Sequence, residues 1–213
     1  MNNDDMKQVE KRVRRYWYAD GIAELASGGM FLLLGLYFGV LGYFKEGSLI
    51  SVILQVSMIL VFIGGAFGVR WLVNTLKSRL TYPRTGFVEY RVKDGDTRKR
   101  RWVIVVSAMV ISAASIVLVD YIRGLESMVF ITGLLVGVIF IALRGRSSGL
   151  KRFYLLGGLA IILGIALAYS GLSQVYTLTL FYGLLGIAIL ISGGLVLRHY
   201  LMENPPQSEL DNE

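Results

Sequence analysis

The chain has 213 residues, of which 54% are hydrophobic and 17% are charged, and its formal net charge is +7 at pH 7. Soluble domains are about 25% charged, so this composition excludes an ordinary soluble enzyme, a disordered chain and a free nucleic-acid-binding domain. The chain has no cysteine, which excludes disulfides, thiolate metal sites and cysteine nucleophiles.

Uncharged segments predict the fold class. Five windows lack Asp, Glu, Lys, Arg and His, and together they cover more than half of the chain. A helix needs about 20 apolar residues to cross a ~30 Å hydrocarbon core, so four windows fit one crossing each and the 45-residue window fits two. The windows are Leu25–Phe44, Gly47–Val69, Trp102–Val119, Ser127–Leu143 and Phe153–Leu197.

The sequence therefore predicts an all-α integral membrane protein whose six transmembrane helices form three hairpins. A transmembrane domain over 21–200 is expected to follow an interfacial segment over 1–20 and to precede an acidic disordered tail over 201–213. We place the turn inside the longest window at 171–174, where Gly and Ser favour a break. The predicted helices span 21–44, 49–75, 102–121, 127–144, 152–170 and 176–199.

The N-terminal segment is basic and amphipathic. Residues 7–18 read KQVEKRVRRYWY, a composition that prefers the lipid headgroup plane, with aromatic rings at the interface and cations near anionic lipid. The segment is interpreted either as the anchor of the first helix or as an arm that senses lipid or a partner.

The first two helices each carry one charge near the expected cytoplasmic side. Glu24 lies near the start of the first helix and Arg70 near the end of the second, so antiparallel packing brings them to similar depth. Ionisable residues within spans are costly and usually pair. We predict a buried Glu24–Arg70 ion pair, which serves either to lock the hairpin or as a gate or substrate anchor.

The loop over 77–101 contains two predicted features. Tyr82, Arg84, Thr85 and Gly86 follow the second helix, and their backbone N–H groups and guanidinium suit an anion or a lipid headgroup. The alternative is a simple turn where the chain leaves the membrane. The alternating stretch from Thr85, followed by Lys93-Asp94-Gly95-Asp96, predicts a short cytoplasmic β-hairpin between helices 2 and 3.

The distribution of cations predicts the orientation. Nineteen Lys and Arg side chains fall on one side of the predicted membrane and two on the other, while Arg70 lies within a helix. By the positive-inside rule, both termini are cytoplasmic in a multi-pass protein of the cell membrane. The expected partners are the bilayer, anionic headgroups on the cytoplasmic side, and a second copy or a membrane partner protein. The basic run before Trp102 is attributed to topology, so no nucleic acid partner is expected.

No catalytic, cofactor or metal-binding pattern is found in the sequence. We therefore predict a non-catalytic membrane component, namely a scaffold, sensor or accessory subunit. One alternative is a small-solute transporter or channel that works as an oligomer and uses midspan polar residues such as Gln55. Another is a lipid-headgroup enzyme whose acid–base groups would be Asp20, Glu24 and Glu89.

Overall fold

We describe the fold from a computed structural model, which covers residues 17–45, 47–81 and 128–205. Within these ranges the chain is helical and contains no strand. Two helices continue as π-helical segments, α2 over Lys77–Thr81 and α3 over Ile139–Gly145, and Arg146–Ser148 forms one further helical turn. The five main helices are α1 (Ile22–Tyr43), α2 (Leu49–Leu76), α3 (Met128–Val138), α4 (Lys151–Ala168) and α5 (Gln174–Glu203).

Four of these helices, α1, the extended α3, α4 and α5, are long and apolar enough to cross a membrane. A fifth candidate is α2, which bends by 53° between Leu49–Met58 and Ile63–Thr81. The helices therefore fit a multi-pass membrane protein with four or five candidate spans. The third predicted helix, at 102–121, and the predicted β-hairpin lie outside the described residues.

The close packing of α1 on α5 follows from facing glycines. A Cβ atom added at Gly28 would lie 2.9 Å from the backbone nitrogen of Leu190 and 3.1 Å from the carbonyl oxygen of Gly186. A Cβ added at Gly35 would lie 2.8 Å from the backbone nitrogen of Gly183. The two backbones thus approach more closely than any side chain would allow. We call this contact the glycine seam; it joins Gly21, Gly28 and Gly35 of α1 to Gly193, Gly186 and Gly183 of α5.

The seam also gives the direction of the two helices. Gly21 at the start of α1 meets Gly193 near the end of α5, and Gly28 meets Gly186 one step further along. The residue numbers rise in one helix as they fall in the other, so α1 and α5 are antiparallel.

The helices α3 and α4 form a second antiparallel pair by the same means. A Cβ added at Gly133 would lie 2.7 Å from the Cα of Gly164, and one added at Gly137 would lie 2.8 Å from the carbonyl oxygen of Gly157. The Gly133/Gly137 spacing therefore serves helix packing, whereas Gly64 and Gly68 of α2 have no atom within 4 Å of an added Cβ.

Aromatic rings join the two helix pairs. Phe31 of α1 contacts Phe140 of the extended α3 with ring centroids 6.4 Å apart, and Phe140 contacts Phe153 of α4 at 6.3 Å. Phe153 in turn lies 5.2 Å from Tyr18, edge to face. The helix α2 packs on another side of α1, where the Tyr37 hydroxyl donates to the Leu54 carbonyl. The core is therefore shared by α1, α3, α4 and α5, with α2 at its side.

The described helix bounds lie within a few residues of the predicted ones, with larger differences at two ends. The second helix continues as a π-helix to Thr81, so residues 77–81, placed in the loop over 77–101 by the sequence, are helical. The last helix extends to Glu203, so residues 201–203, placed in the disordered tail by the sequence, are helical. The remainder of that tail from residue 206 lies outside the described residues, as do residues 1–16 of the interfacial segment.

Candidate functional site

Polar side chains gather at one end of the helix bundle. They come from the beginning of α1 and α4, from the ends of α2 and α3, and from the late part of α5. Because neighbouring helices run in opposite directions, these positions all fall at the same end. We call this group the polar cluster; its members are Asp20, Glu24, Ser27, Lys77, Thr81, Arg144, Arg152 and Ser192.

Asp20 connects the beginning of α1 to the end of α2. Its carboxylate lies 2.8 Å from the Lys77 ammonium, and the two side chains are only 1% and 3% exposed. The same carboxylate oxygen accepts a hydrogen bond from the Thr81 hydroxyl at 3.0 Å, and the other oxygen accepts from the Ile22 N–H. Lys77 also donates to the Trp17 carbonyl at 2.7 Å and lies over the Trp17 ring. Both charges are thus paired and hydrogen-bonded, which is what burial requires.

Glu24 connects α1 to α4 and α5. Its carboxylate is fully buried and lies 2.8 Å from the Arg152 guanidinium, which is 20% exposed. The second carboxylate oxygen accepts a hydrogen bond from the Ser192 hydroxyl at 3.0 Å. Arg152 also donates to the Tyr18 carbonyl. A single buried carboxylate therefore has partners on two other helices.

Arg144 contributes a third cation to the cluster from the π-helical end of α3. Its guanidinium donates to the Ser27 hydroxyl at 3.2 Å, and that hydroxyl donates to the Ala23 carbonyl at 2.6 Å. The guanidinium also lies over the Phe140 ring, 4.9 Å from its centroid. Its direct hydrogen-bond partner is thus a neutral hydroxyl, unlike the carboxylates that face Lys77 and Arg152.

The prediction that Glu24 pairs with Arg70 is wrong, because Glu24 pairs with a different arginine. Glu24 is buried as a paired charge should be, but Arg152 neutralises it, and Arg70 is an exposed side chain of α2. The physical reason is that α5 packs against α1 along the glycine seam, which turns Glu24 toward α4 and α5. The predicted anion-binding residues Tyr82, Arg84, Thr85 and Gly86 lie outside the described residues.

Three hydroxyl groups of the spans outside the polar cluster are bonded within their own helices. Ser57 donates to the Leu54 carbonyl, Thr132 to Met128 and Thr179 to Val175, at 2.8 Å in each case. Among the described residues, no group of three or more His, Asp and Glu side chains is placed to hold a metal ion.

Two functional features were missed from the sequence. In the sequence, Arg152 and Arg144 contribute only to the count of cations that predicts the orientation of the chain. In the structure, each adjoins a span and points into the bundle. The glycine seam does not follow from charge and hydropathy, because glycine positions alter neither. Gly21, Gly28, Gly35 and Gly42 recur every seven residues, a period that keeps one helix face against an antiparallel partner. That signal was available in the sequence.

Comparisons of the chain with protein-family models, with curated proteins and with solved structures found no significant match.

Proposed function

We propose that the protein is a non-catalytic component of the cell membrane, acting as a scaffold, sensor or accessory subunit. In this proposal it has six spans, both termini in the cytoplasm and a short β-hairpin in the loop over 77–101. The polar cluster then lies near the cytoplasmic face, where anionic headgroups are its neighbours. Its function is exercised with a second copy or with a membrane partner protein.

The proposal rests on the contacts that the polar side chains make within the described bundle. Asp20 and Glu24 are buried in ion pairs that join helices. The midspan hydroxyls of Thr132 and Thr179 are bonded to their own backbone. Such contacts stabilise one arrangement of helices, which is what a scaffold or accessory subunit needs.

The burial of the two carboxylates argues against the lipid-enzyme alternative. A general acid or base must come within hydrogen-bond reach of its substrate. Asp20 and Glu24 are 1% and 0% exposed, and both are held by cations. Neither is available to exchange a proton with a headgroup in this arrangement. The third candidate group, Glu89, lies outside the described residues.

The transport alternative depends on a polar path between helices. Gln55 was its main midspan candidate, but this residue lies on the exposed surface of α2. An oligomer that placed Gln55 at a subunit contact would restore such a path, so the alternative has a definite test.

The experiment combines an assembly measurement with a flux measurement on the full chain. Cross-linking in native membranes, followed by mass determination of the purified product, is expected to give a complex of fixed stoichiometry. Vesicles that contain the purified protein are expected to remain impermeable to small neutral solutes. Solute flux that Gln55→Leu abolishes would overturn the proposal in favour of transport, and lipid turnover lost in both Asp20→Asn and Glu24→Gln would overturn it in favour of catalysis.

A further inference from the structure

Two guanidinium groups of the polar cluster have hydrogen-bond donors left over. Nη1 of Arg144, Nε of Arg152 and Oε1 of Glu24 are buried, and none of the three has a hydrogen-bond partner among residues 17–45, 47–81 and 128–205. Oε1 of Glu24 keeps its ion pair with Nη2 of Arg152 at 2.8 Å. Buried donors of charged groups are expensive to leave unpaired, more so than neutral donors. The two unpaired donors outnumber the one unpaired acceptor, so an added acceptor would complete the hydrogen bonding of the cluster.

The charges of the cluster are also unequal. Lys77 is matched by Asp20 and Arg152 by Glu24, whereas Arg144 faces the neutral hydroxyl of Ser27. Within the described part of the chain the cluster thus has three cations and two carboxylates. Arg144, the unmatched cation, is partly buried, and an anion stabilises a cation at such a position, so electrostatics and hydrogen bonding favour the same kind of ligand.

The positions of the guanidiniums restrict what the anion is. Both converge on the first turns of α1, since Arg144 binds Ser27 and Arg152 binds Glu24 and the Tyr18 carbonyl. Each lies over an aromatic ring, Arg144 over Phe140 at 4.9 Å and Arg152 over Phe153 at 5.4 Å. Planar guanidiniums held in this way suit the several oxygens of a phosphate group.

We propose that Arg144 and Arg152 form a binding site for a phosphate-bearing anion at the polar-cluster end of the bundle. Arg144 and Arg152 are both partly exposed, so an anion can reach the guanidiniums. The two unpaired nitrogens are themselves buried, so they bond the anion only after the side chains shift. The anion is either a soluble phosphate or the phosphate of a lipid headgroup, because both sources carry the same chemistry. This inference goes beyond the proposed function, which requires no ligand.

The test is thermal unfolding of the full chain in a phosphate-free detergent. One arm adds inorganic phosphate against chloride at equal ionic strength. The other adds short-chain phosphatidic acid against the diacylglycerol with the same chains. The expected result is a saturable rise in Tm with at least one phosphate-bearing probe and with neither control. A response to inorganic phosphate identifies a soluble ligand, and a response to phosphatidic acid alone identifies a headgroup.

Matched variants separate a built site from bulk charge. Arg144→Gln is expected to weaken the apparent affinity at least about tenfold, because a charge-assisted hydrogen bond is lost. Arg146→Gln makes the same change in net charge at an exposed position two residues away and is expected to bind as the wild type does. Arg144→Lys, which keeps the charge but not the planar fork, is expected to be weakened as well.

Three results would overturn the inference. The first is a wild-type protein whose Tm responds to neither phosphate-bearing probe, a result that needs no variant. The second is equal loss in Arg144→Gln and Arg146→Gln, which would mean that only overall charge matters. The third is wild-type binding by Arg144→Lys, which decides the matter if Arg144→Gln fails to fold.

Discussion

The glycine seam and the polar cluster both join α1 to α5, but by different forces, and they meet where Gly193 lies against Glu24. In the seam, Gly28 and Gly186 let the two backbones touch, so the contact depends on the absence of side-chain atoms at these positions. In the cluster, Glu24 reaches Ser192 of α5 and Arg152 of α4, so the contact depends on charge. The seam is therefore expected to respond to side-chain size, and the cluster to charge.

The difference has a structural consequence. Between apolar helices in a membrane, lipid tails compete equally with apolar side chains, so close backbone approach and dispersion favour association. A buried carboxylate instead favours one arrangement, because any other leaves it unpaired. The seam thus gives α1 and α5 their affinity, and Glu24 fixes which helices stand beside them.

The largest effect is expected from removing one charge of the cluster. Glu24→Gln leaves the partly buried Arg152 without its carboxylate. Because Arg152 is 20% exposed, the free energy of unfolding is expected to fall by about 3 kcal/mol, the lower end of the range for a broken buried pair. Measurement by denaturant unfolding in mild detergent checks this. The double variant Glu24→Gln/Arg152→Met removes both charges and is expected to recover most of the loss. An unchanged stability of the single variant would mean that the ion pair contributes nothing.

A smaller loss is expected where only a hydrogen bond to the buried carboxylate is removed. Ser192→Ala deletes the hydroxyl that donates to Glu24 and is expected to cost about 1.5–3 kcal/mol, the range for hydrogen bonds to charged groups. Thr132→Ala is the control, because Thr132 bonds only its own helix backbone at Met128. If both variants lose the same amount, the Ser192 contact has no special part in the cluster.

The seam is tested by adding one methyl group. Gly28→Ala places a Cβ 2.9 Å from the backbone nitrogen of Leu190, and the strain is expected to exceed the ~1 kcal/mol gain in helix propensity. A net loss of about 1–2 kcal/mol in the same unfolding assay is expected. Gly29→Ala, whose added Cβ meets nothing within 4 Å, should be neutral or stabilising. Equal behaviour of these neighbouring variants would contradict close packing at the seam.

The smallest effect is expected at the cation that the sequence placed with Glu24. Arg70→Gln alters an exposed side chain of α2 and should change the free energy of unfolding by less than about 0.5 kcal/mol. A loss of unfolding free energy as large as that of Glu24→Gln would instead support the predicted pairing of Glu24 with Arg70.

Local signals predicted the helices well. Long uncharged windows determine where a helix can cross a membrane, and the bounds of α1 and α4 follow from them within two residues. The 53° bend of α2 and the π-helical ends of α2 and α3 were not predicted. Neither feature changes hydropathy, so a window count does not detect it.

The site was predicted only in part, because pairing across helices is not local. Burial of a charge at Glu24 was expected from its place within a span. Its partner was sought on the next helix along the chain, whereas Arg152 lies 128 positions away in sequence and follows from the packing of α1 against α4 and α5. The seven-residue glycine period of Gly21, Gly28, Gly35 and Gly42 indicates which face of α1 packs closely, but it does not say which helix that face meets.

The most direct test of this arrangement is a pair of double-mutant cycles on Glu24, one with Arg152 and one with Arg70. Each cycle combines Glu24→Gln with a change of the arginine to Met and measures the free energy of unfolding of all four proteins. We predict a coupling energy above about 1 kcal/mol for Glu24 with Arg152 and one near zero with Arg70. The reverse order, with strong coupling to Arg70 and none to Arg152, would contradict the arrangement described here.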